Sequence, residues 1–329
     1  MSKGRSGAAD NGPAGYEWEY ARKKDDRTKW EKIKQGIWNP EKHQFLGRTA
    51  KSWGGIITFY LIFYVVLAVF FAICMKIWMG AIDDRYPTWQ LEESIIGTNP
   101  GMGFRPLPSS ADEGSLIWYQ AKNKTNIDSW VNNINKFLTK YNNSEKLPQQ
   151  GHNQIICHYD RPPQPNKVCA VDINSKAWGP CVEKENYGFT SSSPCIFLKL
   201  NRIYGWVPEY YNDTKNLPSE MPESLVNHIK SINDTNELNT IWVSCYGEGP
   251  ADRENLGPIQ YYPRQGFPGY FYPYKNVEGY LSPLVAIHLQ RPALHSLINI
   301  ECRAWAKNVL YKRSLHNREG SVHFELMID

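Results

Sequence analysis

Six of the seven cysteines fall at Cys157, Cys169, Cys181, Cys195, Cys245 and Cys302, spaced 12, 12, 14, 50 and 57 residues apart. None forms a Cys-x-x-Cys pair, so the spacing writes neither a zinc centre nor a thiol–disulfide redox motif. An even number of widely spaced cysteines reads as a disulfide framework if this part of the chain folds in an oxidising compartment. Six cysteines allow 15 pairings, and spacing does not choose among them. The same region holds four Asn-x-Ser/Thr triplets, at Asn123, Asn142, Asn212 and Asn233, which are acceptors for N-glycosylation outside the cytosol. Catalytic patterns are missing. There is no phosphate-binding Gly-x-x-x-x-Gly-Lys loop, no His-Glu-x-x-His and no Gly-x-Ser-x-Gly elbow. Gly101-Met102-Gly103 sits among prolines and not between a strand and a helix, so it is no dinucleotide fingerprint. The eight histidines are scattered, and His288 and His323 read as strand residues. No catalytic residue, metal site, cofactor or small-molecule substrate is expected. Function must come from binding.

The element that decides the compartment is Gly54–Met75, 22 residues without a charge. At 1.5 Å per residue such a helix crosses the ~30 Å hydrocarbon layer. With its flanks the spanning segment is placed at 54–79. The preceding 53 residues are too many and too polar for a cleaved signal, so the segment reads as a signal anchor. Lys34, Lys42, Arg48 and Lys51 precede it closely, while Lys76 and Arg85 follow beside Asp83 and Asp84. The positive-inside rule then puts residues 1–53 in the cytosol and the C-terminal part outside. The tail carries 12 Lys/Arg and 7 Asp/Glu, which leaves 25 and 26 for the rest. The outer part therefore has no basic excess for nucleic acid. Within the span Tyr60 and Tyr64 lie four apart, with Phe59 and Phe63 beside them. A phenol hydroxyl deep in lipid needs a partner, and a second membrane helix would supply one. Cys74 reads as a small apolar helix residue.

Other elements follow from composition and period. Residues 1–24 are Gly-, Ala- and Lys-rich and read as disordered. Asp25 or Asp26 is expected to cap a helix running to Gly36, with Trp30, Ile33 and Ile37 on one face for lipid or a partner. Pro87, Pro100, Pro106 and Pro108 make 80–115 an extended stalk. A helix should start near Asp128 or Ser129 with Trp130, Ile134, Phe137, Leu138 and Tyr141 as its apolar stripe. Beyond it the period becomes two. Ile298, Ile300, Cys302 and Ala304 share a face, as do Val322, Phe324, Leu326 and Ile328. Cys195–Ile203, Thr240–Tyr246 and Leu284–Leu289 are further strands. Strands without intervening amphipathic helices predict an antiparallel β-sandwich over 116–329 with one packed helix, stapled by disulfides. Cys245 and Cys302, both in strands, suit a bridge between the two sheets.

Six segments stand out together: Ile37-Trp38-Asn39-Pro40, Phe45-Leu46-Gly47-Arg48-Thr49, Phe59-Tyr60-Leu61-Ile62-Phe63-Tyr64, Pro194–Gly205 (PCIFLKLNRIYG), Pro283-Leu284-Val285-Ala286 and Ile300-Glu301-Cys302-Arg303-Ala304. Taken together they resemble the β subunits of Na⁺/K⁺- and H⁺/K⁺-transporting P-type ATPases. They occur in order from about residue 30 to the end. The resemblance implies a non-catalytic, type II plasma-membrane glycoprotein with an immunoglobulin-like ectodomain. It implies the pairs Cys157–Cys169, Cys181–Cys195 and Cys245–Cys302. It also implies assembly with a catalytic α subunit, escort of that subunit from the endoplasmic reticulum, and modulation of K⁺ transport. The membrane tyrosines, Tyr60 and Tyr64 here, would face a helix of α. The family's Tyr-Tyr-Pro-Tyr-Tyr-Gly segment appears as Phe271-Tyr272-Pro273-Tyr274-Lys275-Asn276, a departure. No residue separates Na⁺/K⁺ from H⁺/K⁺ pumps, and Na⁺/K⁺ is taken as the broader class. The alternative is a type II cell-adhesion glycoprotein. A Golgi glycosyltransferase shares the layout but wants an Asp-x-Asp metal site, which the chain lacks.

Overall fold

The computed structural model describes residues 28–40, 42–83, 86–108, 110, 112, 114–142, 153–173, 176–313 and 318–329. Residues 1–24, Asp25 and Asp26 lie outside these. The chain forms two compact units, 1–82 and 83–329.

In the first unit, α1 (Lys29–Ile37) is capped by Thr28. The Glu31 amide donates to Thr28 Oγ1 and the Thr28 amide to Glu31 Oε2 at 2.9 Å, a reciprocal capping box. The expected Asp cap is thus replaced by the Thr28-x-x-Glu31 pair. Three two-residue strands follow: β1 (Trp38–Asn39), β2 (Gln44–Phe45) and β3 (Arg48–Thr49), in that sheet order. Leu46 (φ 52°) and Gly47 (φ 77°) join β2 to β3 with both residues in the left-handed region. That two-residue hairpin geometry explains a glycine in the Leu-Gly-Arg-Thr segment. Thr49 Oγ1 then caps α2 (Ala50–Ala81), and Trp53 Nε1 donates to the Phe45 carbonyl at 2.8 Å. The helix has 32 residues, ~48 Å at 1.5 Å each, and buries none of them. It begins four residues before Gly54 because Thr49 offers the cap.

The second unit has two main sheets. One orders β10 (Ile259–Tyr262), β12 (Val285–Leu289), β8 (Cys195–Leu200) and β4 (Met102–Arg105), all antiparallel. The other orders β11 (Gly266–Pro268), β9 (Thr240–Gly247), β13 (Ile298–Trp305), β14 (Ser321–Ile328) and β5 (Leu116–Tyr119). Both sheets feed one core, where Phe104 of β4 stacks on Phe324 of β14 with centroids 5.0 Å apart. Ile298, Ile300, Cys302 and Ala304 turn into that core, as their alternation predicts. So do Phe324, Leu326 and Ile328, while Val322 stays half-buried at its rim. The short β6 (Gln154–Ile155) and β7 (Val168–Cys169) pair separately.

Several expectations are corrected. β4 lies inside the stretch read as a stalk, so the folded unit begins well before residue 116. β14 pairs with β5 in parallel, so the five-stranded sheet is mixed. α3 (Lys124–Asn142) starts at Asn123, whose Oδ1 accepts the Asn126 amide, and not at Asp128 or Ser129. Its Ile127, Trp130, Val131, Ile134 and Leu138 are buried, with Phe137 and Tyr141 at the rim. Two further helices intervene between strands. α4 (Glu223–Ser231) packs Leu225 and Ile229 on Trp242 and Trp305, the outer face of the five-stranded sheet, and α5 (Pro250–Leu256) follows β9.

Candidate functional site

On α2, the four ring-bearing residues form a ladder by helical spacing alone. Phe59 and Phe63 stack at 6.1 Å, as do Tyr60 and Tyr64. Edge contacts of 5.4 Å join Phe59 to Tyr60 and Phe63 to Tyr64. Positions i and i+4 share a face, so each pair pre-orders its rings. All four remain about half exposed, and among the described residues neither tyrosine hydroxyl has a hydrogen-bond partner. A bare aromatic face with two unused hydroxyls is equipped to receive another apolar helix that offers a polar group.

In the second unit the cysteines are joined as Cys157–Cys169, Cys181–Cys195 and Cys245–Cys302, and Cys74 is free and exposed on α2. Cys245 and Cys302 do not bridge two sheets. They are directly opposed residues of neighbouring β9 and β13, with Cα atoms 4.0 Å apart. Both being strand residues left open which strands were neighbours. Cys157–Cys169 instead pins a peripheral cluster around Phe271.

That cluster borders an aromatic cleft of about 610 Å³, lined by Tyr86, Pro163, Tyr204, Tyr270, Tyr272 and Pro273. Tyr204 packs edge-on against Tyr274, and Trp206 against Tyr272. The Arg202 guanidinium lies 5.3 and 5.0 Å from the Tyr274 and Tyr280 ring centres. Burial pushes the Tyr280 phenol up to about 12 and Tyr272 well above its ordinary value, so both phenols stay neutral, while Lys167 and Lys275 bring charge to the same lining.

The four triplet asparagines Asn123, Asn142, Asn212 and Asn233 are all exposed. Asn142 ends α3, and its Ser144 lies outside the described residues. Asn123 has a second role as the α3 cap through Oδ1, while glycan attachment would use Nδ2. Asn123→Ala is therefore expected to cost about 1 kcal/mol in denaturant unfolding. Asn123→Asp, which keeps the acceptor, and Thr125→Ala, which spares the cap, are each expected to lose the triplet without that penalty.

The outer face of β13 carries a buried polar network that sequence reading missed. Glu301 is fully buried and accepts from Ser321 Oγ at 2.8 Å and Tyr246 at 2.9 Å. Glu248 accepts from Arg318 at 2.8 Å and contacts His323 Nδ1 at 2.6 Å. Burial pushes the Glu248 carboxyl up, but the hydrogen bonds and charges of Arg318 and His323 outweigh it and hold the group below its ordinary value. Arg303 lies between the rings of Trp305 and Tyr311, 3.8 and 3.9 Å from their centres. Alternation put Glu301 and Arg303 on the face away from the core. The tyrosines and arginines that cover them come from Tyr246, Tyr311, Arg313 and Arg318, and no period announces those partners.

One lipid-length helix with an unpartnered aromatic face, leading to a disulfide-stapled two-sheet domain, defines a membrane-anchored binding subunit. The chain belongs to the sodium/potassium ATPase beta chain family, whose model matches residues 23–324. It is 49% identical over 318 residues to sodium/potassium-transporting ATPase subunit beta-2 of Drosophila melanogaster, covering 96% of this chain and 97% of the relative. Subunit beta-1 of the same organism is 43% identical over 294 residues, 89% and 91% of the two chains. The human subunit beta-2 is 28% identical over 313 residues, 91% and 94%. The family expected from the sequence motifs is met, and it is that of the accessory subunit, not the catalytic one.

Proposed function

We propose that this chain assembles with the catalytic α subunit of a Na⁺/K⁺-transporting ATPase through the Tyr60/Tyr64 face of α2, with Phe59 and Phe63 packing beside it. The observation that carries the reading is the ladder itself, four aromatic rings and two free hydroxyls on a helix that buries nothing of its own. The N-terminal tail lies in the cytosol and the two-sheet domain outside, a placement supported by the excess of basic residues before α2. That domain is an immunoglobulin-like sandwich, glycosylated at Asn123, Asn142, Asn212 and Asn233. Its aromatic cleft is the surface offered to the outer loops of α. Its disulfides and glycans are acquired in the endoplasmic reticulum, so only a folded chain can escort α to the plasma membrane.

Replacing Tyr60 and Tyr64 together by Leu keeps an apolar span and removes both hydroxyls and both stacked rings. The double variant is expected to reach the surface with α but to shift the half-activating external K⁺ concentration about two- to fivefold, on the order of one lost hydrogen bond. Phe at both positions should give part of that shift. Unchanged K⁺ activation with normal assembly would remove the helix contact from the account.

A further inference from the structure

The second unit holds a cleft of about 430 Å³ between α3 and the β4–β8 edge, and five cations line it: Arg105, Lys136, Lys140, Lys199 and Arg202. No carboxylate lines it among the described residues. This is a local concentration, because the chain outside the tail is close to charge balance. Elsewhere in the unit arginines find acids: Arg303 pairs with Glu220 at 3.1 Å, Arg313 with Glu248 at 3.1 Å, and Arg318 with Glu248 at 2.8 Å. Among the described residues none of the five cleft cations makes an ion pair.

Their placement also differs from a solvated basic face. Arg105 Nη1 donates to the Phe104 carbonyl at 2.8 Å, and its guanidinium lies 5.6 Å from the Phe137 ring centre. Arg202 Nε donates to Ser282 Oγ at 3.1 Å while its guanidinium stacks on Tyr274 and Tyr280. Both forks are therefore held before any ligand arrives, which lowers the ordering cost of binding. Lys136 and Lys140 lie one turn apart on the same face of α3. Lys199 sits half-buried between them and the arginines. Burial, and then the charges of Arg105, Arg202 and Lys140, push its ammonium down from the ordinary value, a cost that an anion in the cleft would relieve.

We infer that this cleft binds a multiply sulfated glycan of the glycosaminoglycan type. Five converging cations exceed what one phosphate or one carboxylate can match. The cleft volume falls within the range of small-ligand sites, large enough for a short saccharide. Planar arginine forks suit tetrahedral oxyanions. The inference rests on the proposed placement of this domain outside the cell, where sulfated polysaccharide is the abundant polyanion.

The test uses the full chain co-purified with its α subunit in mild detergent, and a heparin-derived tetrasaccharide as probe. Lys136→Gln/Lys140→Gln/Lys199→Gln is expected to weaken binding about tenfold or more and to flatten its salt dependence, since the counterions released from a polyanion scale with the number of protein cations that engage it. Lys184→Gln/Lys230→Gln, two exposed lysines elsewhere, should leave both unchanged. Equal binding by the triple variant, or equal loss in the control, overturns the site. Stronger binding of polyglutamate or of phosphoinositide vesicles than of the tetrasaccharide overturns the sulfated-glycan assignment. Unfolding midpoints matching the parent exclude a misfolded triple variant. Binding to the purified complex together with labelling of permeabilised but not intact cells would keep the site and overturn the extracellular placement instead.

Discussion

Replacing Cys245 and Cys302 together by Ala is expected to destabilise the two-sheet domain by about 4 kcal/mol, the largest loss from any one of the three bridges. The reason is loop length. The bond closes a separation of 57 residues, against 12 and 14 for the other two. On the chain-entropy relation the shorter bridges are worth about 3 kcal/mol each. Position adds to the difference. Cys302 is fully buried in the main core between Ile300 and Ala304. The pair ties β13, the central strand of the five-stranded sheet, to its neighbour β9, so its loss is felt by the whole unit. Cys157–Cys169 holds a small satellite cluster, and its removal should loosen that corner alone. Denaturant unfolding followed by tryptophan emission would separate the cases. A domain with typical stability of 5–15 kcal/mol survives the loss of about 3 kcal/mol more readily than 4. The Cys245/Cys302 variant is therefore expected to be retained inside the cell, with little α subunit at the surface. Surface delivery equal to that of the parent chain would show that the sheet does not depend on this bond.

What the sequence made legible follows the same division between local and long-range information. β14 spans Ser321–Ile328 and contains the alternating Val322, Phe324, Leu326 and Ile328, legible because its inward and outward faces differ sharply in polarity. β13 and the stripe of α3 were equally readable. The membrane helix and its Phe59–Tyr64 ladder needed only a length and a four-residue interval. β4 was hidden because Met102–Arg105 is short and flanked by Pro100 and Pro106. The parallel partnership of β5 with β14 joins residues some 210 positions apart, and nothing in either strand names the other. The basic cleft was invisible for that reason too: its cations come from positions 105, 136, 140, 199 and 202, each unremarkable in its own segment. Family motifs supplied what period could not, yet even they did not reveal that Cys245 and Cys302 are neighbours within one sheet.

Glu301 is where a single substitution should do most damage. Its carboxylate, fully buried on β13, receives Ser321, Tyr246 and the more distant Tyr311 hydroxyl at 3.3 Å. Arg318 Nη1 lies 3.4 Å and Arg313 Nε 3.8 Å from it. Glu301→Ala removes the fully buried anion of a set that also holds Arg313, Arg318 and the partly buried Glu248 and His323, the last of these also 3.5 Å from Glu325. It leaves hydroxyls of Tyr246 and Ser321 without their acceptor. Breaking such a buried set typically costs 3–5 kcal/mol, well beyond the ~1 kcal/mol of an ordinary substitution. Glu301→Gln, which keeps an acceptor but not the charge, should cost less. Acidification tests the neighbouring half of the network. Glu248 titrates below its unfolded value of about 4.5 in the folded domain. Its contribution is therefore complete above that pH and is lost as pH falls through the lower, folded value. Stability of the parent chain should drop on acidification below about pH 4.5, with Glu248→Gln showing a shallower decline from a lower start. Parallel pH profiles for the two proteins would mean that Arg318 and His323 do not hold that carboxylate in its charged form. The network sits on the face opposite the Cys245–Cys302 bridge, so β13 is fixed to its neighbours covalently on one side and by charge on the other.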